Sequence, residues 1–478
     1  MSKRGALWLC VGLCVARQGW AAGDAQPGLF EQSQSGSPTA APDADGVAAA
    51  SGGPALTWHG YTRSDVFVGR TAGANTPELK AAYAELALRL ELDEPGFGSA
   101  RAEARLRSGL DGVSPRSDVE LREAYVNAYL GPLDLRVGHQ IIVWGRADAF
   151  NPTNNLTPID LRVRSPVEDD RRRGNLATRL WLDLAPVRLE GVWLPLYVPS
   201  EVPSIALPEF VRAIDPSYPG PTLENGLVAL RVHLELPAVD ASISALRGYA
   251  PLPGLALRDY TVGVDPPEIR ITRAAYRQTV LGLDFSTGLG EIAVLRGEAA
   301  YRRPVDYEQT VHAPRPDLQY VLGVERDFGA LGLIVQYVGR YVFDWRRETG
   351  PENPIDPQPL VDFEAPLPAF LADSINAALE ADLRLRNQIL FAQRARVQHL
   401  LSMRAEWRAL SDALSLSALG LVNFTTREWL LYPKLAYQIS DWMSTSVSAE
   451  LYAGPDGSSF DLIEDALSAA YAELRLSF

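Results

Sequence analysis

Apolar and polar residues alternate one by one in segment after segment of this chain, up to its last residue. A period of two sends successive side chains to opposite faces of an extended strand, so each segment reads as a strand with one apolar face. The stretch 123–161 shows the unit. Glu123, Tyr125 and Asn127 alternate with Ala124, Val126, Ala128 and Leu130, and a tight Gly131-Pro132 corner follows. Leu133, Leu135, Val137, Ile141 and Val143 then alternate with Asp134, Arg136, Gly138, Gln140 and Trp144. In 78–93, Ala82, Ala84, Leu86, Leu88, Leu90 and Leu92 oppose Glu85, Arg89, Glu91 and Asp93.

Alternation alone fits a water-soluble sandwich as well as a membrane wall. Segment length and loop rhythm separate the two. Strands are expected near 56–69, 78–93, 98–109, 118–130, 133–144, 175–185, 187–198, 223–236 and 239–250. Others are expected near 275–287, 291–303, 317–327, 331–343, 388–410, 413–424, 428–439, 443–452 and 468–478. Most have the roughly ten residues that a tilted strand needs to cross a bilayer. Tight turns follow the even-numbered segments, and mostly longer loops follow the odd-numbered ones, near 145–174, 199–222, 251–274, 304–316, 344–387 and 453–467. Short turns at one rim and long loops at the other are the signature of an outer-membrane barrel. The fold class is therefore all-β, a transmembrane antiparallel up-and-down barrel of about eighteen strands, or about sixteen if two segments are loops.

The rest of the sequence agrees. No run of about 18 apolar residues exists, so a helical membrane span is excluded. Formal net charge is −14, which argues against nucleic acid as a partner. Lys3 and Arg4, an apolar stretch 6–16 and Gly19-Trp20-Ala21-Ala22 have the order of a secretory signal. Domains are assigned as a signal peptide over 1–21, a flexible low-complexity segment over 22–55 and the barrel over 56–478. Both cysteines, Cys10 and Cys14, fall in the signal, leaving no thiol for a disulfide or metal. At the other end Ala470, Ala472, Leu474, Leu476 and Phe478 alternate outward. This resembles the closing strand of outer-membrane proteins, whose terminal aromatic is read by the barrel-assembly machinery; the resemblance implies that machinery as a partner through Phe478. Trp58, Trp144, Trp193, Tyr341 and Trp429 near strand ends are candidates for interfacial girdles.

The run Arg-Val-Gly-His-Gln-x-x-x-Trp-Gly-Arg-Ala-Asp over 136–148, followed by Asn151-Pro152 and Pro158-x-Asp160, resembles a family of porin-like Gram-negative outer-membrane proteins of unknown function. Gly138, Gln140, Trp144, Gly145, Asp148, Asn151, Pro152 and Asp160 carry the resemblance, which extends over about 120–165. It implies a barrel in the outer membrane, in some cases set beside lipid or hydrophobic-compound transport, and no particular substrate. Physically, Gly138 leaves room in the wall and Gly145 lets the chain leave the strand. Asp148, Asn151 and Asp160 suit local turns, and Pro152 stiffens the loop. The expected role of Gly138, Trp144, Gly145, Asp148, Asn151, Pro152 and Asp160 is anchoring a loop that can fold inward.

With oil outside, the charged face points into the lumen. The pore-lining candidates are Arg89, Arg101, Glu103, Arg105, Glu123, Arg136, Gln140, Arg296, Glu298 and Arg340. Opposed charges across a water-filled pore tune selectivity, and as ion pairs they also stiffen the wall. The five histidines are scattered and no nucleophile elbow or phosphate loop is present, so no catalytic residue, metal or cofactor is assigned. The charged run 168–173 reads as a solvated loop, with cation or lipid-phosphate binding as the alternative. The apolar stretch 193–212 and the long loop 344–387, where Phe370, Ile375, Ala378 and Leu379 have helical spacing, are expected to pack on themselves or plug the barrel. The function expected is an outer-membrane, porin-like channel for a small or hydrophobic solute. A plugged barrel in surface binding or an export complex is the alternative, and a lipid hydrolase is the third class. Outer-membrane lipid and a small-molecule or lipid ligand are the remaining expected partners.

Overall fold

The computed structural model describes residues 53–70, 76–111, 114–148, 150–165, 167–202, 209–263, 267–351, 360–361, 367–456 and 458–478. The expected signal and all but the end of the low-complexity segment lie outside the described residues. The strands are β1 Ala55–Gly69, β2 Glu78–Glu94, β3 Gly98–Asp111, β4 Ser114–Leu130, β5 Leu133–Gln140, β6 Asn175–Leu184 and β7 Val187–Leu194. Next come β8 Val211–Ala213, β9 Leu227–Glu235, β10 Val239–Tyr249, β11 Gly254–Tyr260, β12 Ile269–Ala274, β13 Arg277–Gly288 and β14 Val294–Pro304. The last are β15 Asp317–Phe328, β16 Leu331–Val342, β17 Val397–Ala409, β18 Leu414–Asn423, β19 Glu428–Ser440, β20 Met443–Ala453 and β21 Ala469–Ser477. Among the described residues, helices α1 Ala369–Leu390 and α2 Ser459–Leu467 lie in loops.

Eighteen of these strands form one antiparallel sheet, and β1 pairs with β21 to close it into a barrel. The terminal residue fastens the seam: Gly60 N donates to Phe478 O at 2.8 Å and Phe478 N to Gly60 O at 2.9 Å. Closure leaves no unpaired strand edge, which a bilayer would not tolerate.

The two faces are inverted relative to a soluble protein. On β2 and its neighbours Leu86, Leu88, Leu90 and Leu92 are outward and exposed, while Arg63, Asp65 and Glu85 are inward and almost wholly buried. Apolar surface in contact with water would be costly along this whole wall; against lipid it is not.

All eighteen expected strand segments are present, with boundary differences that have physical causes. β5 ends at Gln140, four residues earlier than expected, because residues 141–144 turn into the lumen. β9 starts at Leu227, after a short 3-10 turn at Leu223–Asn225. The expected segment 388–410 holds the end of α1, a turn and then β17.

The long-loop end carries a second core. β8 pairs in parallel with β12, which pairs with β11, and α1 packs beside them. Val211, Leu255, Ile269, Ile271, Leu379, Leu383 and Phe391 are buried there together. The apolar loops thus pack on one another. Phe370, counted on the apolar face of the helix by spacing, is instead exposed.

Candidate functional site

Residues 141–174 leave the wall and cross the lumen. Glu123 accepts Ile141 N at 3.1 Å, and the Thr157 hydroxyl accepts Ile142 N at 3.0 Å, replacing the ladder bonds lost at the end of β5. Ile142, Trp144 and Leu156 then pack against inward apolar residues of β6–β14, among them Val192, Ala229, Leu246 and Val280. Phe150 packs on the far wall against Val321, Val338, Leu400 and Leu421. The Trp144 ring nitrogen donates to Glu190 Oε1 at 3.2 Å. Trp144 is therefore an interior anchor and not a girdle residue, whereas Trp58, Trp193 and Trp429 stay exposed on the wall.

Glu298 of β14 holds the crossing segment. Its carboxylate accepts Arg146 N at 3.0 Å, Ala147 N at 3.2 Å, and both the amide and hydroxyl of Thr153 at 2.7 Å. Gly145 makes this approach feasible: its φ is 104°, and a Cβ there would lie 2.7 Å from both Glu298 oxygens. Arg146 donates to Asp284 of β13 at 2.7 Å, and Asp148 accepts from Arg404 of β17 at 2.8 Å. Asp148 thus reaches across the lumen and does not close a local turn. Asp160 does close one, accepting Arg162 N at 2.9 Å; burial by itself would raise its pKa, and the Arg162 guanidinium bond outweighs that and pulls it below the usual carboxylate range. Asn151 O accepts Asn154 N at 3.0 Å, and Pro152 O accepts the Asn155 amide at 2.7 Å. Gly138 sits at φ 141°, and a Cβ there would overlap Ala124 O across the ladder at 2.3 Å.

Within the run 168–173, Asp170, Arg171 and Arg172 are buried inside the barrel, not solvated as expected, while Asp169 stays exposed. Asp170 accepts Arg63 and Arg105 guanidinium groups, each at 2.6 Å, and Ser165 at 2.5 Å. Burial by itself would raise the Asp170 pKa; Arg63, Arg105 and Arg122 outweigh that and hold it well below the ordinary carboxylate range. Arg122 also bonds Asp169 and the Arg172 carbonyl. Arg122 is absent from the pore-lining candidates because strict alternation puts it outward; a bulge at Glu103/Ala104 turns it in.

The remaining candidates are placed as follows. Glu103 is buried among Arg89, Arg101 and Arg105, at 2.8, 3.3 and 3.1 Å. The Arg136 guanidinium lies over the Tyr125 ring at 4.1 Å and donates to Asn127 at 2.7 Å. Arg296 pairs with Glu325 at 2.6 Å. Gln140 and Glu298 do not line open lumen: both are buried, Gln140 donating to Ala177 O at 3.0 Å. Glu190, Asp284 and Asp317, which tie the inner arginines, were missed; their inward register on charged strands is the signal that would have found them. Among the described residues no histidine, cysteine and acid grouping could hold a metal.

Above the crossing segment lies a cavity of about 200 Å³. Asn151, Pro152 and Asn155 form part of its lining, with Gln278, Gln319 and Gln398 from the wall and Phe391 from the loop after α1. Arg302, Arg315, Arg340 and Arg394 line it, against two acids, Asp317 and Glu428. Asp317 receives Arg302 in a two-pronged pair at 2.8 and 2.7 Å. Arg340 donates to the carbonyls of Phe391 and Ala392 at 2.8 and 2.7 Å. Phe391 and Tyr276 meet edge-on at 5.7 Å.

The stretch from which the family resemblance was read lies within residues 95–168. That stretch matches the DUF1302 family. Its description is a protein of unknown function. No curated protein sequence matches the chain. Solved structures with a similar fold include Pseudomonas aeruginosa OccK2 (OpdF), alone and in complex with glucuronate. Each has a TM-score of 0.50 at 11% identity and covers 88% of this chain and 97% of that one. A BenF-like porin from Pseudomonas fluorescens Pf-5 has a TM-score of 0.49 at 10% identity, covering 88% and 98%. At this identity the likeness is one of fold: a closed 18-strand barrel like those of outer-membrane porins, which are not enzymes.

Proposed function

We propose that the chain is a secreted, outer-membrane channel that passes small organic anions carrying an apolar portion, and catalyses no reaction. The observation that carries this reading is the cavity above the crossing segment, with four arginines against two acids beside the aromatic edge of Tyr276 and Phe391. An excess of guanidinium groups in a narrow, partly apolar space favours a carboxylate over its neutral analogue. Residues 141–174 narrow the path below that cavity. Phe478, at the seam, is the residue the assembly machinery would read.

Planar-bilayer recording across a salt gradient tests the proposal. Anion selectivity is expected, with conductance blocked by a small aromatic carboxylate and not by its amide. R302Q/R340Q should shift the zero-current potential toward cation preference. Cation selectivity in the wild type, or equal block by acid and amide, would overturn it. A barrel closed by its own loops is the second reading, favoured by the shared core of β8, β11, β12 and α1 over the long-loop end. Folded wild-type protein that never conducts would select that reading.

A further inference from the structure

The outer wall carries a cluster of arginines that the lumen does not use. Arg247 of β10, Arg277 of β13 and Arg303 of β14 are exposed. Each alternates with inward neighbours: the buried Leu246 and Gly248, the buried Gln278, and the half-buried Arg302, which turns in to Asp317. They therefore point away from the lumen. The register brings them together. Arg247 pairs with Thr279, and Thr279 pairs with Arg303, so the two arginines flank one threonine on adjacent strands. Neighbouring strands are about 4.8 Å apart, which puts the two backbones about 10 Å apart, within reach of one or two anionic groups for such long side chains. Arg277 is paired with Tyr249 and stacks on its ring at 4.9 Å.

Neither Arg247 nor Arg303 has a carboxylate partner among the described residues, and Arg277 bonds only to Glu224 O and Asn225 Oδ1. Directly toward the barrel's middle the same face is apolar, with Ile243, Leu281 and Leu283 exposed. The cluster lies at the end where β10 and β14 run into long loops, so it stands just above the apolar band on the extracellular side. Trp193 lies in the same row, joined through Val228 to Arg247.

We propose that Arg247, Arg277 and Arg303 form a binding site for the phosphates of the outer-leaflet glycolipid. Arginine pairs with phosphate oxygens through two parallel N–H donors, and a cluster at headgroup depth meets that charge without desolvating a buried ion. Its acyl chains would lie against Ile243, Leu281 and Leu283.

The test uses the full barrel in detergent, titrated with diphosphoryl lipid A and followed by native mass spectrometry. Wild type is expected to retain lipid A and to bind a dephosphorylated form more weakly. R247Q/R277Q/R303Q should lose about 100-fold in affinity, from about fivefold for each arginine near an anionic surface. Arg326, exposed on β15 over the Phe328 ring at the short-turn end, is the control: R326Q should bind as wild type does. Unboiled gel mobility checks folding; if the triple variant misfolds, R303Q alone should lose about fivefold. Equal retention by wild type and variant, an equal loss in R326Q, or displacement of lipid A by millimolar inorganic phosphate would each overturn the assignment.

Discussion

Replacing Glu298 by Ala should loosen the crossing segment without unfolding the barrel. The carboxylate accepts three backbone amides and one hydroxyl from residues 146–153. Bonds to a charged acceptor contribute about 1.5–3 kcal/mol each, so simple addition gives about 6–12 kcal/mol. That sum is too large, because truncation opens space for water, and a bridging water replaces each bond at about 0–2 kcal/mol. Over four bonds that leaves a net loss of about 0–8 kcal/mol, with a middle value of about 4 kcal/mol. Arg146–Asp284, Asp148–Arg404 and Asp170 with Arg63 and Arg105 still tether the segment on both sides. The effect is therefore local opening of residues 145–153, more populated by a factor of ten for every 1.4 kcal/mol or so. Single-channel recording should show higher mean conductance and added open-state noise. Glu298→Gln should fall between the two: its amide oxygen can keep Thr153, but its NH2 would face the amides of Arg146 and Ala147. A folded E298A barrel with conductance and noise identical to wild type would refute the claim that Glu298 positions the segment.

Other outcomes follow from the same geometry. Gly145→Ala places a Cβ against Glu298 at a φ that L residues avoid, so it should raise conductance too; with E298A the double variant should be less than additive, read from a double-mutant cycle. Asp170→Asn removes the carboxylate that Arg63 and Arg105 share; because Arg63 keeps Glu85 at 2.9 Å and Arg105 keeps Glu103 at 3.1 Å, the cost should fall below the about 3–5 kcal/mol of an unpaired buried charge, and the change should lower the temperature at which the folded band disappears on gels. Because the folded pKa of Asp170 is depressed, its stabilisation is present above the unfolded value of about 3.9 and is lost only as pH falls through the folded value below it. The wild-type advantage over D170N should therefore be the same at pH 7 and pH 5.

The pattern of legibility is specific. The Gly138 and Gly145 positions were readable because glycine before and after a strand end signals unusual backbone, and both have positive φ. That Asp148 bonds Arg404, 256 residues on, was not readable, since an aspartate in a loop looks the same whether it caps its own turn or spans a lumen. Arg122 was not readable as a lumen residue because a bulge at this point of β4 breaks the alternation of faces. Trp144 carried both a girdle and an anchoring reading because an aromatic near a strand end suits a lipid interface and an interior anchor equally; only the packing against Val192 and Leu246 separates them.

The two-residue rhythm, the strand lengths and the alternation of turns with long loops determined the closed barrel and the side that meets lipid, because those properties are local and repeat along the chain. Which loop enters the lumen, and which acid meets which arginine, was decided only when closure brought β1, β14 and β17 around a common axis. Those contacts join residues far apart in sequence, and no local pattern encodes the distance between opposite walls.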